Sequence, residues 1–131
     1  MLKVVNNKIM INRGNIGTLS VSALDDNKLP YTFKVGDVIR FKIMKENDCN
    51  NVIKQKDITV SSESTEIDID LVAADTTIGP IINDSVNYWY EVKLNPDTAP
   101  QTIIGFDDEG PKIFELYPEG KTIEWLKPKI L

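Results

Sequence analysis

Four stretches of the chain, residues 16–24, 36–45, 64–72 and 86–94, alternate apolar and polar side chains with a period of two. In the third, Ile67, Ile69 and Leu71 fall on one face and Glu66, Asp68 and Asp70 on the other, as a strand with one face in a core and one in water requires. A helix would spread the same residues around its circumference. The first stretch aligns Leu19, Val21 and Ala23, the second Ile39, Phe41 and Ile43, and the fourth Tyr88, Tyr90, Val92 and Leu94 against Trp89, Glu91 and Lys93. Shorter pieces complete the set. Residues 8–12 read as a strand, another follows Leu29-Pro30, and 52–55 with 58–60 read as two short strands or one bent strand. The segments 100–106 and 112–117 read as a final hairpin across the acidic turn 107–111.

Turn chemistry separates these segments: Arg13-Gly14-Asn15, residues 25–28, Gly36-Asp37 and Asn95-Pro96-Asp97 all carry the residues that tolerate or cap reversals. The one helical turn is expected at 73–78, where Asp75 and two threonines offer caps and Gly79-Pro80 stops it. Seven to nine short strands at about ten-residue spacing, without internal repeat, predict an all-β domain built as a two-sheet antiparallel β-sandwich. The sandwich occupies residues 1–117. Residues 118–131 are expected to form a short C-terminal extension that packs on the sandwich or docks on a partner.

Composition removes several function classes. A chain of 131 residues suits a single domain that folds without metal or disulfide. Its only cysteine, Cys49, sits among Asn47, Asp48, Asn50 and Asn51 and reads as an exposed loop thiol. The net charge is −5 and the fifteen basic residues are scattered, so nucleic acid is not the expected partner. No apolar run reaches the roughly 20 residues that span a bilayer, and the start of the chain lacks a signal-peptide pattern. The expectation is a soluble, non-secreted protein with no membrane partner. Histidine is absent, which removes the usual proton shuttle near neutral pH and the commonest zinc ligand. No nucleophile has a recognisable base and no glycine-rich phosphate loop is present, so neither catalysis nor a cofactor is expected.

Three constellations remain. Asp25, Asp26 and Asn27, with Asp107, Asp108 and Glu109, contain calcium-type oxygen ligands without EF-hand spacing. Turn chemistry accounts for both groups, and ligation would require the two loops to meet in space. Glu66, Asp68 and Asp70 read as a solvated strand face; a paired-carboxylate hydrolase would need a cleft between two of them. Trp89 points outward from the aromatic strand, and with Trp125, Leu126, Ile130 and Leu131 of the extension it makes the candidate partner-binding set. Either tryptophan could also stack on a sugar ring.

The run from Ile11 through Arg13-Gly14-Asn15 to Leu19, followed by Tyr31-Thr32-Phe33-Lys34-Val35-Gly36-Asp37-Val38-Ile39-Arg40-Phe41-Lys42-Ile43, resembles the opening of the phage baseplate upper protein N-terminal domain family. Later segments agree in order: residues 66–75 resemble that family's isoleucine-alternating strand and the Asp turn after it, Tyr88 to Leu94 its "Y-x-Y-x-V-x-L" strand, and Gln101-Thr102-Ile103-Ile104 the "T-I" strand that follows. Asn15 stands where the family usually has Asp, and the turn chemistry is kept. The resemblance implies an immunoglobulin-like sandwich without the Cys-Trp-Cys core of true immunoglobulin domains. It implies a non-enzymatic virion structural protein of a bacteriophage tail, baseplate or tail fibre, made in the bacterial host cytoplasm. Such a module mediates protein-protein interaction with other virion or baseplate proteins, as a homo-oligomer. A carbohydrate-binding module contacting host-surface glycans is the alternative.

Overall fold

Period-two patterning becomes two sheets closed over one core. The computed structural model describes the backbone of residues 3–5 and residues 7–120 in full. Its strands are β1 (Lys3–Val5), β2 (Lys8–Asn12), β3 (Gly17–Val21), β4 (Val38–Lys45), β5 (Asp48–Thr59) and β6 (Ile67–Leu71), then β7 (Val86–Leu94), β8 (Gln101–Ile104) and β9 (Lys112–Tyr117), with one helical turn, α1 (Ala73–Thr76), after β6. The larger sheet has the order β1-β2-β9-β7-β4-β5, with β8 also beside β7; the smaller is the pair β3-β6. All pairings are antiparallel except β2 with β9.

The alternation places the core as expected. Leu19, Val21, Ile69 and Leu71 of the smaller sheet join Ile39, Phe41, Ile43, Tyr90, Val92, Phe114 and Leu116 of the larger one in a single buried cluster. Phe41 lies at its centre, with ring centroids 5.8 Å from Tyr90 and 6.4 Å from Phe114. The helical turn also forms where expected. The Asp75 carboxylate accepts the Val72 amide and the Thr77 hydroxyl donates to the Ala73 carbonyl.

Three expectations are corrected. Residues 31–35 do not form a strand: Phe33 makes a lone bridge to Ser64, because the left-handed backbone at Gly36 (φ 94°) turns the chain before a ladder can extend. The segments 52–55 and 58–60 belong to one continuous β5, which begins at Asp48 and so takes Cys49 out of the expected loop. Cys49 is exposed all the same; the register jumps from Lys45↔Asp48 to Met44↔Val52, pushing the residues between out of the ladder. Finally, β8 and β9 are not a hairpin. Leu94 pairs with Gln101 and Tyr90 with Lys112, so the two strands lie end to end along one edge of β7, interrupted by residues 105–111. Both must cover the same row of β7, and a hairpin would leave half of it bare. The interruption starts at Gly105, where a Cβ would stand 2.6 Å from Thr102 Cγ2. Gly105→Ala is expected to cost about 1–2 kcal/mol in urea unfolding.

Each end of the molecule is tied by one polar side chain. At the Val86 end, the Arg13 guanidinium donates to the carbonyls of Ile78 (3.3 Å) and Gly79 (2.7 Å) and pairs with Glu119. At the Leu94 end, Asp37 accepts from the Lys34 amide (2.9 Å), the Tyr31 hydroxyl (3.1 Å) and the Asn95 amide side chain (3.1 Å).

Candidate functional site

The outward face of the larger sheet divides into two chemically different halves. Alternation sends Arg40, Lys42, Asp57, Glu91 and Lys93 outward, and they neutralise one another across the strands. Arg40 forks onto Asp57 (2.9 and 3.0 Å) and reaches Asp97 (3.0 Å), while Glu91 lies 3.4 Å from Lys42 and 4.0 Å from Lys93. The Arg40 hydrogen bonds hold the Asp57 carboxyl below the usual carboxylate range, and the two aspartates push the guanidinium further up.

The other half is apolar. Met44, Trp89 and Ile113 face one another across β4, β7 and β9, and Met44 is buried although it points away from the core. The reason is the interruption between β8 and β9, which folds back over the sheet and sets Phe106 edge-on against Trp89, centroids 5.7 Å apart at 72°. Phe106 remains 71% exposed. Lys112 anchors the loop by donating to Asp107 (2.7 Å), whose other oxygen accepts the Glu109 amide (2.9 Å); these two donors, the lysine first, hold the Asp107 carboxyl low. The result is a groove of about 340 Å³ bounded by Met44, Cys49, Trp89, Phe106 and Pro111. Aromatic and methionine walls of this kind bind apolar side chains of another surface.

Trp89 is therefore outward-facing, as its alternation predicts, but half-buried under a neighbouring loop. Trp125, Leu126, Ile130 and Leu131 lie outside the described residues. Phe106, Met44 and Pro111 were not among the sequence candidates. Only Phe106 left a trace, as a large apolar residue beside the acidic run 107–109. The acidic groups serve locally: Asp25 caps its own turn through the amides of Asn27 (2.9 Å) and Leu29 (3.0 Å), and Asp107 is used by Lys112. Among the described residues, no three acidic or cysteine side chains gather at metal-ligating distance. On β6, Asp68 and Asp70 are exposed and accept hydroxyls from Ser20 (2.7 Å) and Thr18 (2.8 Å) across the pair.

A second concavity, about 520 Å³, opens between residues 22–26 and β8, floored by Ala23, Tyr31, Leu94 and Ile103. Asp25 and Asp26 stand on its rim. No helix among the described residues is long and apolar enough to cross a membrane. Compared with protein-family models, curated proteins and solved structures, the chain finds no match.

Proposed function

We propose that this chain is a non-enzymatic assembly module, an immunoglobulin-like β-sandwich that docks another protein through the groove beside Trp89. The observation that carries the reading is the contrast on one sheet face, where Arg40, Lys42, Asp57, Glu91 and Lys93 answer one another while the half beside them presents the Trp89–Phe106 pair. Strand order supports the architecture: β9-β7-β4-β5 facing β3-β6 follows the G-F-C-C′ and B-E layout of variable-type immunoglobulin sandwiches. The carboxylates and cations described above are engaged in turns and ion pairs, which supports adhesion over chemistry. Phe106 packs against Trp89 at 72°, so the tryptophan is part of an angled aromatic pair and not a lone flat platform of the kind a sugar ring stacks on, which favours a protein partner over a glycan.

The setting we propose is a phage or prophage tail, baseplate or fibre, on the strength of the segment resemblance. Its test is the genomic neighbourhood followed by co-expression. Neighbouring reading frames are expected to encode tail or baseplate proteins, and one product is expected to co-elute with this chain in light scattering. Phe106→Asp is expected to abolish that complex with only a small change in melting, since the ring is mostly exposed and stands outside the core cluster. Metabolic enzymes as neighbours would defeat the virion setting, and a complex indifferent to Phe106→Asp would defeat the groove.

A further inference from the structure

The cleft at the Leu94 end has the form of a missing strand. Among the described residues β8 pairs with β7 alone, whereas β9, in line with it, is covered on the same side by β2. The line of β2 stops at Asn7, where the chain reverses into β1 and the Tyr90 hydroxyl donates to the Asn7 carbonyl. Beyond that point no described strand covers the edge of β8, and beside it lies the cavity of about 520 Å³ lined by Ala23, Tyr31, Leu94 and Ile103. An open sheet edge over an apolar trough is the arrangement that accepts an added strand, with main-chain bonds for affinity and the trough for alternate side chains.

We propose that this slot receives residues 121–131 of a second copy of the chain. That segment reads Lys121-Thr122-Ile123-Glu124-Trp125-Leu126-Lys127-Pro128-Lys129-Ile130-Leu131. As a strand it presents Ile123 and Trp125 on one face, the spacing that a trough beside a sheet edge takes. Its three lysines against one glutamate complement a cleft whose rim carries Asp25 and Asp26 and whose lining carries no cation.

Reach separates the chain's own extension from a neighbour's for Ile123 and Trp125, the apolar pair of that strand. The described chain stops beside Glu119, which is tied to Arg13 at the Val86 end. The cleft sits at Leu94, eight residue steps along β7, or about 26 Å at about 3.3 Å per residue. From Gly120 to Trp125 an extended chain covers about 17 Å, so Trp125 falls short of its own cleft. Only another copy can deliver it. The inference rests on the assembly reading above and adds a self-contact distinct from the Trp89 groove.

The test uses the full chain and follows self-association by light scattering across a dilution series. Asp25→Asn with Asp26→Lys keeps the acceptor that caps the 25–29 turn and reverses the rim charge; it is expected to weaken self-association about tenfold. Lys127→Glu with Lys129→Glu is expected to do the same. The four substitutions together are expected to restore association, which damage to folding would not do. In parallel, a synthetic peptide of residues 121–131 added to the isotopically labelled full chain is expected to shift the amides of residues 22–26 and 101–104. Failure of the charge-reversed pair to rescue, or peptide shifts centred on Trp89 and Phe106, overturns the inference. Self-association lost with Phe106→Asp alone and untouched by the rim charges also overturns it, while leaving the groove reading intact.

Discussion

Phe33→Ala is expected to lower stability by about 3–5 kcal/mol, a large share of the roughly 5–15 kcal/mol available to a domain of this size. Phe33 belongs to no strand, yet its ring is completely buried and packs edge-on against Tyr31 at 5.1 Å and 78°. Its amide donates to the Ser64 carbonyl and the Ser64 amide donates back, fastening the crossover between sheets to the segment before β6. Deleting the ring leaves a hole where the two sheets are joined, and the backbone bonds on either side limit collapse into it. Urea unfolding should show a lower midpoint with an unchanged slope, the signature of lost stability without a changed unfolded state. Val35→Ala, two residues on and mostly exposed, should change stability by less than about 0.5 kcal/mol. Equal losses at the two positions would show that the segment is not anchored through Phe33.

How far the fold could be read in advance depended on whether one face of a segment was buried. Strands β3, β4, β6 and β7 alternate because each shows one face to the core, and β7 has the bounds its pattern sets. Strand β5 is an edge strand among the described residues and has no wholly buried residue, so its sequence around Asn50 and Asn51 carries turn residues and hides a twelve-residue strand. Strand β1 pairs by backbone bonds over three residues, too few for a period to register. The candidate site was half legible. Trp89 declares its direction through alternation, but nothing local says that Phe106 and Pro111 return to meet it, because that depends on β8 and β9 sharing one edge of β7. Long-range register of this kind leaves no mark in residue spacing. The resemblance motif at Phe33 to Asp37 has a local explanation: a buried ring, a left-handed glycine and a carboxylate capping the turn between them.

That carboxylate makes the second large prediction. Asp37→Ala is expected to cost about 2–3 kcal/mol at pH 7, because three donors from Lys34, Asn95 and Tyr31 lose a charged acceptor and partial hydration recovers some of it. The loss also spreads. Asn95, in a left-handed conformation at φ 48°, holds the Val38 amide with its side-chain oxygen at 2.9 Å, and its orientation depends on Asp37. The Lys34 amide chiefly, with Asn95 and Tyr31 adding their donors, holds the Asp37 carboxyl below its ordinary value against the opposing effect of burial. A carboxyl depressed on folding stabilises the native state fully above its unfolded value, near pH 4, and the contribution is lost as pH falls through the folded value. Asp57, lowered chiefly by Arg40, and Asp107, lowered chiefly by Lys112, act in the same direction. Wild-type stability should therefore be level from about pH 7 to pH 5 and decline below about pH 4. Asp37→Ala should lie lower at neutral pH and approach wild type in acid, because protonation has already removed there most of what the substitution removes. Parallel curves for the two proteins down to pH 2 would mean that the Asp37 charge contributes nothing and that the cost is steric.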